Sequence, residues 1–253
     1  MSELGYLAVF LAGAAAGTIN AIVGSGTLIT FPTLIAFGIP PVTANVSNTI
    51  GLAPGSAAAA WGYRAELRGQ RTRLVRLGSM SVLGAITGAI LLLTLPSSAF
   101  DMIVPVLVGL GVALVILQPW LSRRLADRRK EPVRRHHGGW LLMVLVYLTG
   151  VYGGYFGAAQ GVILMAILGI GLDEALQRAN AAKNVLAGLA NAVAAVVFIM
   201  VAHVAWIPAV LIAVGSVVGG LVGARVGRRL SPLLLRGVIV TVGVIAIIML
   251  LRR

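Results

Sequence analysis

With Lys183 as the exception, the charged residues of this chain lie at the ends of apolar runs or in the short connections between them, and that separation limits its possible folds more than any other feature. Ten apolar segments can be read, at 4–23, 26–37, 43–62, 74–94, 99–119, 139–159, 161–172, 177–201, 206–224 and 232–251. Most reach the roughly 20 residues that a helix needs to cross a hydrocarbon core of about 30 Å. Of the 253 residues, 59% are hydrophobic and 11% charged, against roughly 45–50% and about 25% in soluble domains. Too few polar side chains exist to cover a water-facing surface, and a disordered chain would lack the apolar residues. The chain is therefore an all-α integral membrane protein, expected as a multi-pass protein of the cell membrane.

The formal net charge of +13 would suggest nucleic acid in a soluble protein. Here the cations lie beside the apolar runs. Arg64, Arg68, Arg71, Arg73 and Arg76 form one cluster; Arg123 to Arg135 hold a second; Arg225, Arg228 and Arg229 form a third. Cationic loops flanking spans set orientation in the membrane, so no nucleic-acid partner is expected. Residues 1–23 lack a basic leading region and read as a retained membrane segment, not a signal peptide. The chain has no Cys, which removes disulfides and thiol chemistry.

Two segments, 26–37 and 161–172, are too short to span. At about 12 residues each they would reach only about 18 Å as helix. Each follows a break, Gly24-Ser25-Gly26 in one case and Ala159-Gln160-Gly161 in the other. Their starts lie 135 positions apart, and sliding the first half onto the second without a gap also pairs Asn45 with Asn180. The same shift pairs Gly84 and Gly88 with Gly219 and Gly223. The expected organisation is repeat 1 over 1–121, a basic cytoplasmic linker over 122–138 and repeat 2 over 139–253. Placing the Arg64–Arg76 connection inside puts 123–135 and 225–229 inside as well. The connections near His203 and Leu95–Asp101, which hold no Lys or Arg, then fall outside. Only an inverted repeat gives that arrangement, with Arg252 and Arg253 as its one exception. The expected fold is thus two inverted-topology repeats of long helices, each with a short broken or re-entrant segment.

These residues resemble a known family. The run GTINAIVGSGTLITFP from Gly17 to Pro32, with PPVTANVSN from Pro40 to Asn48, resembles the start of the TauE/SafE family of membrane permeases. GGYFG from Gly153 to Gly157, Gln160-Gly161 and RANAAKN from Arg178 to Asn184 resemble that family's second repeat. Ala158, Ala159 and Gln160 partly replace the family's glycine-rich run. The resemblance implies a carrier of small, often sulfur-containing anions such as sulfite or a sulfonate.

The residues themselves suggest where an anion could bind. A break at Gly24, Ser25 and Gly26 frees backbone N–H groups at a helix start, where the dipole places about half a positive charge; Gln160 and Gly161 repeat the pattern. The alternative is that these glycines only permit close packing. On helices, Asn45, Asn48 and Thr49 share one face, as do Asn180, Lys183 and Asn184, through i, i+3, i+4 spacing. Their donors suit an oxyanion, or else serve as interhelical hydrogen bonds. Lys183 stands about 9 Å into an apolar helix, where a charge is costly and marks function unless the side chain snorkels to the interface. Arg178, nearer the interface, is expected to meet lipid phosphate. The two Gly-x-x-x-Gly pairs are expected to pack inside each half, with a homodimer contact as the second reading.

The acids Glu3, Glu66, Asp101, Asp127, Glu131, Asp173 and Glu174 all fall at helix ends or in connections, so no carboxylate relay is visible. His136, His137 and His203 lack metal-site spacing, and no P-loop or nucleophile elbow occurs. No cofactor, metal or catalytic residue is expected, and the chain is not expected to be an enzyme. The expected function is alternating-access transport of a small anion; the alternatives are a non-transporting membrane subunit or scaffold, and a small-anion channel. A cysteine introduced at Gly69 should label only from the cytoplasmic side of intact cells. Labelling from outside would overturn the inverted arrangement.

Overall fold

The structure is a computed structural model that describes residues 2–128, 139–172, 174–226 and 232–251. Its helices follow the apolar segments closely: α1 Glu3–Ile22, α2 Thr27–Ala36, α3 Pro41–Gly62, α4 Arg71–Thr94, α5 Ser97–Arg128, α6 Trp140–Tyr155, α7 Gln160–Gly171, α8 Leu176–Val201, α9 Trp206–Val226 and α10 Pro232–Leu251. Five of them (α1, α4, the Ser97–Trp120 stretch of α5, α8 and α9) are long and apolar enough to cross a membrane. The fold is all-α, with no strand among the described residues. Helix α5 continues to Arg128, into the expected linker 122–138; residues 129–138 of that linker, and Arg228 and Arg229 of the third basic cluster, lie outside the described residues.

Local signals explain the ends. Ser2 caps α1 by accepting a hydrogen bond from the Gly5 N–H at 3.3 Å, as a serine before a helix commonly does. Pro41 opens α3 at a position where its missing N–H is no loss. Past α1, Gly24 takes φ +87°, a left-handed turn that a side chain would strain.

Burial is arranged for lipid. Leu4, Leu7, Leu11, Met102, Met200, Val201 and Ile207 are exposed, whereas Asn45, Ser47, Asn48, Lys183 and Ser216 are buried almost completely. With no water in the hydrocarbon to satisfy them, polar groups turn inward and apolar ones outward.

Helix α1 runs alongside α9 in the same direction, with Gly13 against Ile212, Gly17 against Ser216 and Gly223 against Thr18. Helix α4 runs alongside α6 in the same way, with Gly84 against Tyr147 and Gly88 against Val151 and Tyr155. Both Gly-x-x-x-Gly pairs therefore pack between the two halves. The expectation of contacts inside each half is corrected: each glycine face meets the first helix of the opposite half. The reason is steric, since two backbones this close leave no room for Cβ atoms.

A Cβ added at Gly219 would lie 1.9 Å from the Ala14 carbonyl oxygen. Gly219→Ala should therefore cost about 1–3 kcal/mol by overpacking, lowering the thermal midpoint in detergent. Gly139→Ala is the control, because a Cβ there meets nothing within 4 Å.

Candidate functional site

The two breaks meet. The Gly161 N–H donates to the Gly24 carbonyl at 3.0 Å, and a Cβ on either residue would sit 2.3 or 2.4 Å from the other's Cα. Only glycine fits at both positions. Ala159 takes φ 59° beside them, a conformation that costs a residue with a Cβ roughly 1–2 kcal/mol. The contact brings the starts of α2 and α7 together inside the protein, each with the partial positive charge of a helix N-terminus.

Beside this contact lies a polar cavity of about 20 Å³. That holds about one water and is too small for an oxyanion unless the lining moves. Asn20 and Gly24 from the end of α1, Thr27 from α2 and Ser56 from α3 form one part of the wall. Gly157, Gln160 and Gly161 form another, and Lys183, Asn184, Ala187 and Asn191 of α8 close it. Of the expected site residues, Gly24, Gln160, Gly161, Lys183 and Asn184 thus share one cavity.

The other expected residues stand around it. Ser25 is buried with no hydrogen-bond partner for Oγ, and Thr49 is buried on α3. The Gly26 N–H donates to Asn20 Oδ1 at 2.6 Å. Asn48 ties α3 to α2: its Nδ2 donates to Thr27 Oγ1 at 3.3 Å, and its Oδ1 accepts from Thr30 Oγ1. Asn45 Nδ2 donates to the Tyr155 carbonyl at 2.9 Å, and Asn180 Nδ2 donates to the Ala21 carbonyl at 3.2 Å. Each of this matched pair therefore holds the broken helix end of the opposite half. Their amide donors face carbonyls, while Oδ1 of both is buried without a partner among the described residues.

Lys183 is fully buried, which excludes snorkelling. Its Nζ donates to the Asn20 carbonyl at 2.9 Å and to the Ala21 carbonyl at 3.4 Å. Asn184 Nδ2 adds a further bond to Ala21 at 3.2 Å. These carbonyls form the negative end of α1, where a cation is favoured. No carboxylate pairs with Lys183 among the described residues.

Sequence reasoning missed Asn20, Thr27, Ser56, Gly157, Ala187 and Asn191. A signal existed for two of them: Asn191 follows Ser56 by 135 positions, the shift that pairs the breaks. The structure joins them, Asn191 Nδ2 donating to Ser56 Oγ at 3.4 Å.

Two further clusters tie the helices together. At the basic end, Glu174 bridges Arg73 at 2.8 Å and Arg178 at 2.6 Å. Gln70 Nε2 donates to the Arg178 carbonyl at 3.2 Å and the Arg178 guanidinium to the Arg68 carbonyl at 3.1 Å. The cluster ties α4 and the turn before it to the α7–α8 connection. Arg178, expected to meet lipid phosphate, is bonded through its guanidinium to Glu174, four residues before it. Towards the opposite end, Phe31 packs edge-on against Phe156 at 5.0 Å, with Phe100 at 6.0 Å from Phe156. Such aromatic pairs add specific packing to apolar burial.

Burial pushes the Glu174 carboxyl upward, but hydrogen bonds and charge from Arg178 and Arg73 outweigh it and hold it below the ordinary carboxylate value. A lowered folded-state value contributes stability at neutral pH, lost as the pH falls through that value. Glu174→Gln should therefore destabilise the protein by about 1 kcal/mol at neutral pH, and the difference should vanish in acid. Thermal unfolding in detergent across pH measures it; a difference that persists in acid would refute the charge assignment.

The family model described as "Sulfite exporter TauE/SafE" matches residues 9–250. "Probable membrane transporter protein YfcA" of Escherichia coli strain K12 is 27% identical over 209 residues, 82% of this chain and 75% of the relative. A "Probable membrane transporter protein" of Haemophilus influenzae is 28% identical over 212 residues, 83% of this chain and 80% of the relative. "Probable membrane transporter protein ORF9" of Sinorhizobium sp is 30% identical over 158 residues, 62% of this chain. The matched region spans 58% of that relative's length. No solved structure matches.

Proposed function

The chain belongs to the TauE/SafE sulfite exporter family, and on that premise we propose that it carries a small sulfur-containing anion, such as sulfite or a sulfonate, across the cell membrane by alternating access. Membership makes it a multi-pass membrane transporter and not an enzyme. The identity of the cargo and the route rest on the site.

One observation carries the anion reading. A fully buried lysine with no carboxylate partner among the described residues lines a cavity that the starts of two broken helices also reach. Helix starts favour anions through their dipole, and the N–H groups of Gly26 and Gly161, here given to Asn20 and Gly24, turn to the cargo as the lining moves. At about 4–6 Å, a unit positive charge attracts an anion by about 3–4 kcal/mol at an effective dielectric constant near 20. The amides of Gln160, Asn184 and Asn191 supply further donors to the same space. Asn45 and Asn180 act one step back, fixing the helix ends that frame it.

The two halves work as inverted repeats in this reading. Helix α1 shares the direction of α9, and α6 that of α4, so each half lends its first helix to the other half's fourth. In this reading the ion pairs at the basic end and the aromatic rings towards the other act as the two seals of a carrier. A channel would need an open polar path. Alternating access follows if the two seals open in turn while the cavity widens around its cargo.

The test is uptake into proteoliposomes of sulfite, methanesulfonate, sulfoacetate and simple carboxylates. Lys183→Gln should lower apparent affinity for the transported anion roughly 10- to 100-fold, or about 1.4–2.7 kcal/mol. Arg64→Gln, whose guanidinium lies over the Trp61 ring at 4.3 Å, should leave affinity unchanged. Normal transport by Lys183→Gln would sink the site assignment.

A further inference from the structure

We propose that Lys183 is the site of a coupling proton, so that one anion and one proton occupy the cavity together. The inference rests on the cavity being an anion site. It begins with how an amine satisfies its neighbours. Nζ donates to two carbonyls, of Asn20 and Ala21, at 2.9 and 3.4 Å. A neutral amine has two N–H groups and a lone pair, whereas an ammonium has three N–H groups. The two carbonyls are served in either state. What changes with the proton is the remaining position, a lone pair in one state and an N–H donor in the other.

Capping α1 does not demand the charge. The Ala21 carbonyl already accepts from the neutral amides of Asn180 and Asn184, each at 3.2 Å. What a protonated Lys183 lacks in this structure is a counter-charge, because no described carboxylate reaches it. Burying an unpaired charge is costly, and an opposite charge beside it offsets that cost. An anion entering the cavity supplies one. The two charges therefore enter most cheaply as a pair, and a bound sulfonate with its proton is electroneutral.

No other wall of the cavity competes for the proton. Its remaining polar lining, Asn20, Thr27, Ser56, Gln160, Asn184 and Asn191, does not titrate. Around it, Tyr63 of α3 packs with Ala21 and Ala181, and the Tyr152 hydroxyl of α6 donates to the Ala158 carbonyl. Glu174 is held between Arg73 and Arg178 at the basic end. None of these lines the cavity. The position matching Lys183 in the first half is Asn48, a neutral amide bonded to Thr27 and Thr30. At this matched pair of positions one side chain can bind a proton, so the proposed stoichiometry is one proton per anion.

The experiment uses the full chain in detergent and sodium methanesulfonate, an anion that does not titrate near neutrality. Binding is measured by calorimetry between neutral and mildly alkaline pH, in pairs of buffers with different ionisation enthalpies. The expected result is uptake of about one proton per anion bound at the alkaline end, with affinity falling about tenfold per pH unit there. Lys183→Arg keeps its charge throughout and should bind without proton uptake, with an affinity independent of pH. Binding by the native chain with no proton uptake at any of these pH values would overturn the proposal and leave the anion site standing. Absence of binding for methanesulfonate, sulfite and sulfoacetate alike would overturn both.

Discussion

An interrupted helix inside a membrane leaves backbone groups that neither its own turns nor water can satisfy, and this structure is organised around two such interruptions. Unpaired backbone groups cost several kcal/mol in hydrocarbon. After α1, the exposed carbonyls of Asn20 and Ala21 receive Lys183, Asn180 and Asn184 from α8. After α6, the Tyr155 carbonyl receives Asn45 from α3. The donors come from the opposite half each time, so neither break is satisfied until the halves dock.

The docking has its own requirement, which is closeness. Helices can exchange donors across halves only where backbones approach, and apolar chains in lipid gain little from hydrophobic association. Glycine answers that requirement along the α1–α9 and α4–α6 seams, where a Cβ at Gly17, Gly84, Gly88 or Gly219 would strike backbone of the facing helix. The same requirement recurs at the tip contact of Gly24 with Gly161. High glycine content and the polar site are thus linked by geometry.

The two ends of the bundle are tied by different physics. Charged groups at the basic end tie α4 to the α7–α8 connection through Glu174. At the other end the matching tie is a single neutral bond, the Ala205 N–H to Ser47 Oγ at 2.9 Å, together with packed aromatic rings. Ion pairs respond to pH and salt; aromatic packing does not. The asymmetry of these ties parallels the asymmetry of the matched positions, with Lys183 on one half and Asn48 on the other.

Much of the fold was legible in the sequence, because in lipid the length and polarity of a segment nearly decide its structure. The ten segments, the two short ones and the breaks at Gly24 and Gly161 all appear as helices and interruptions close to the expected bounds. Lys183 stood out since an isolated cation in an apolar helix needs a reason. Partners were not legible. Only the tertiary structure decided that the Gly-x-x-x-Gly faces meet the opposite half, that Arg178 turns to Glu174, and that Asn45 and Asn180 hold helix ends outside the cavity wall. It alone placed Asn20, Ser56 and Asn191 around Lys183. The reason is that hydropathy reports each residue's preference for lipid or protein, a one-body property. Which donor meets which carbonyl is a two-body property, fixed when two distant segments come within hydrogen-bond reach.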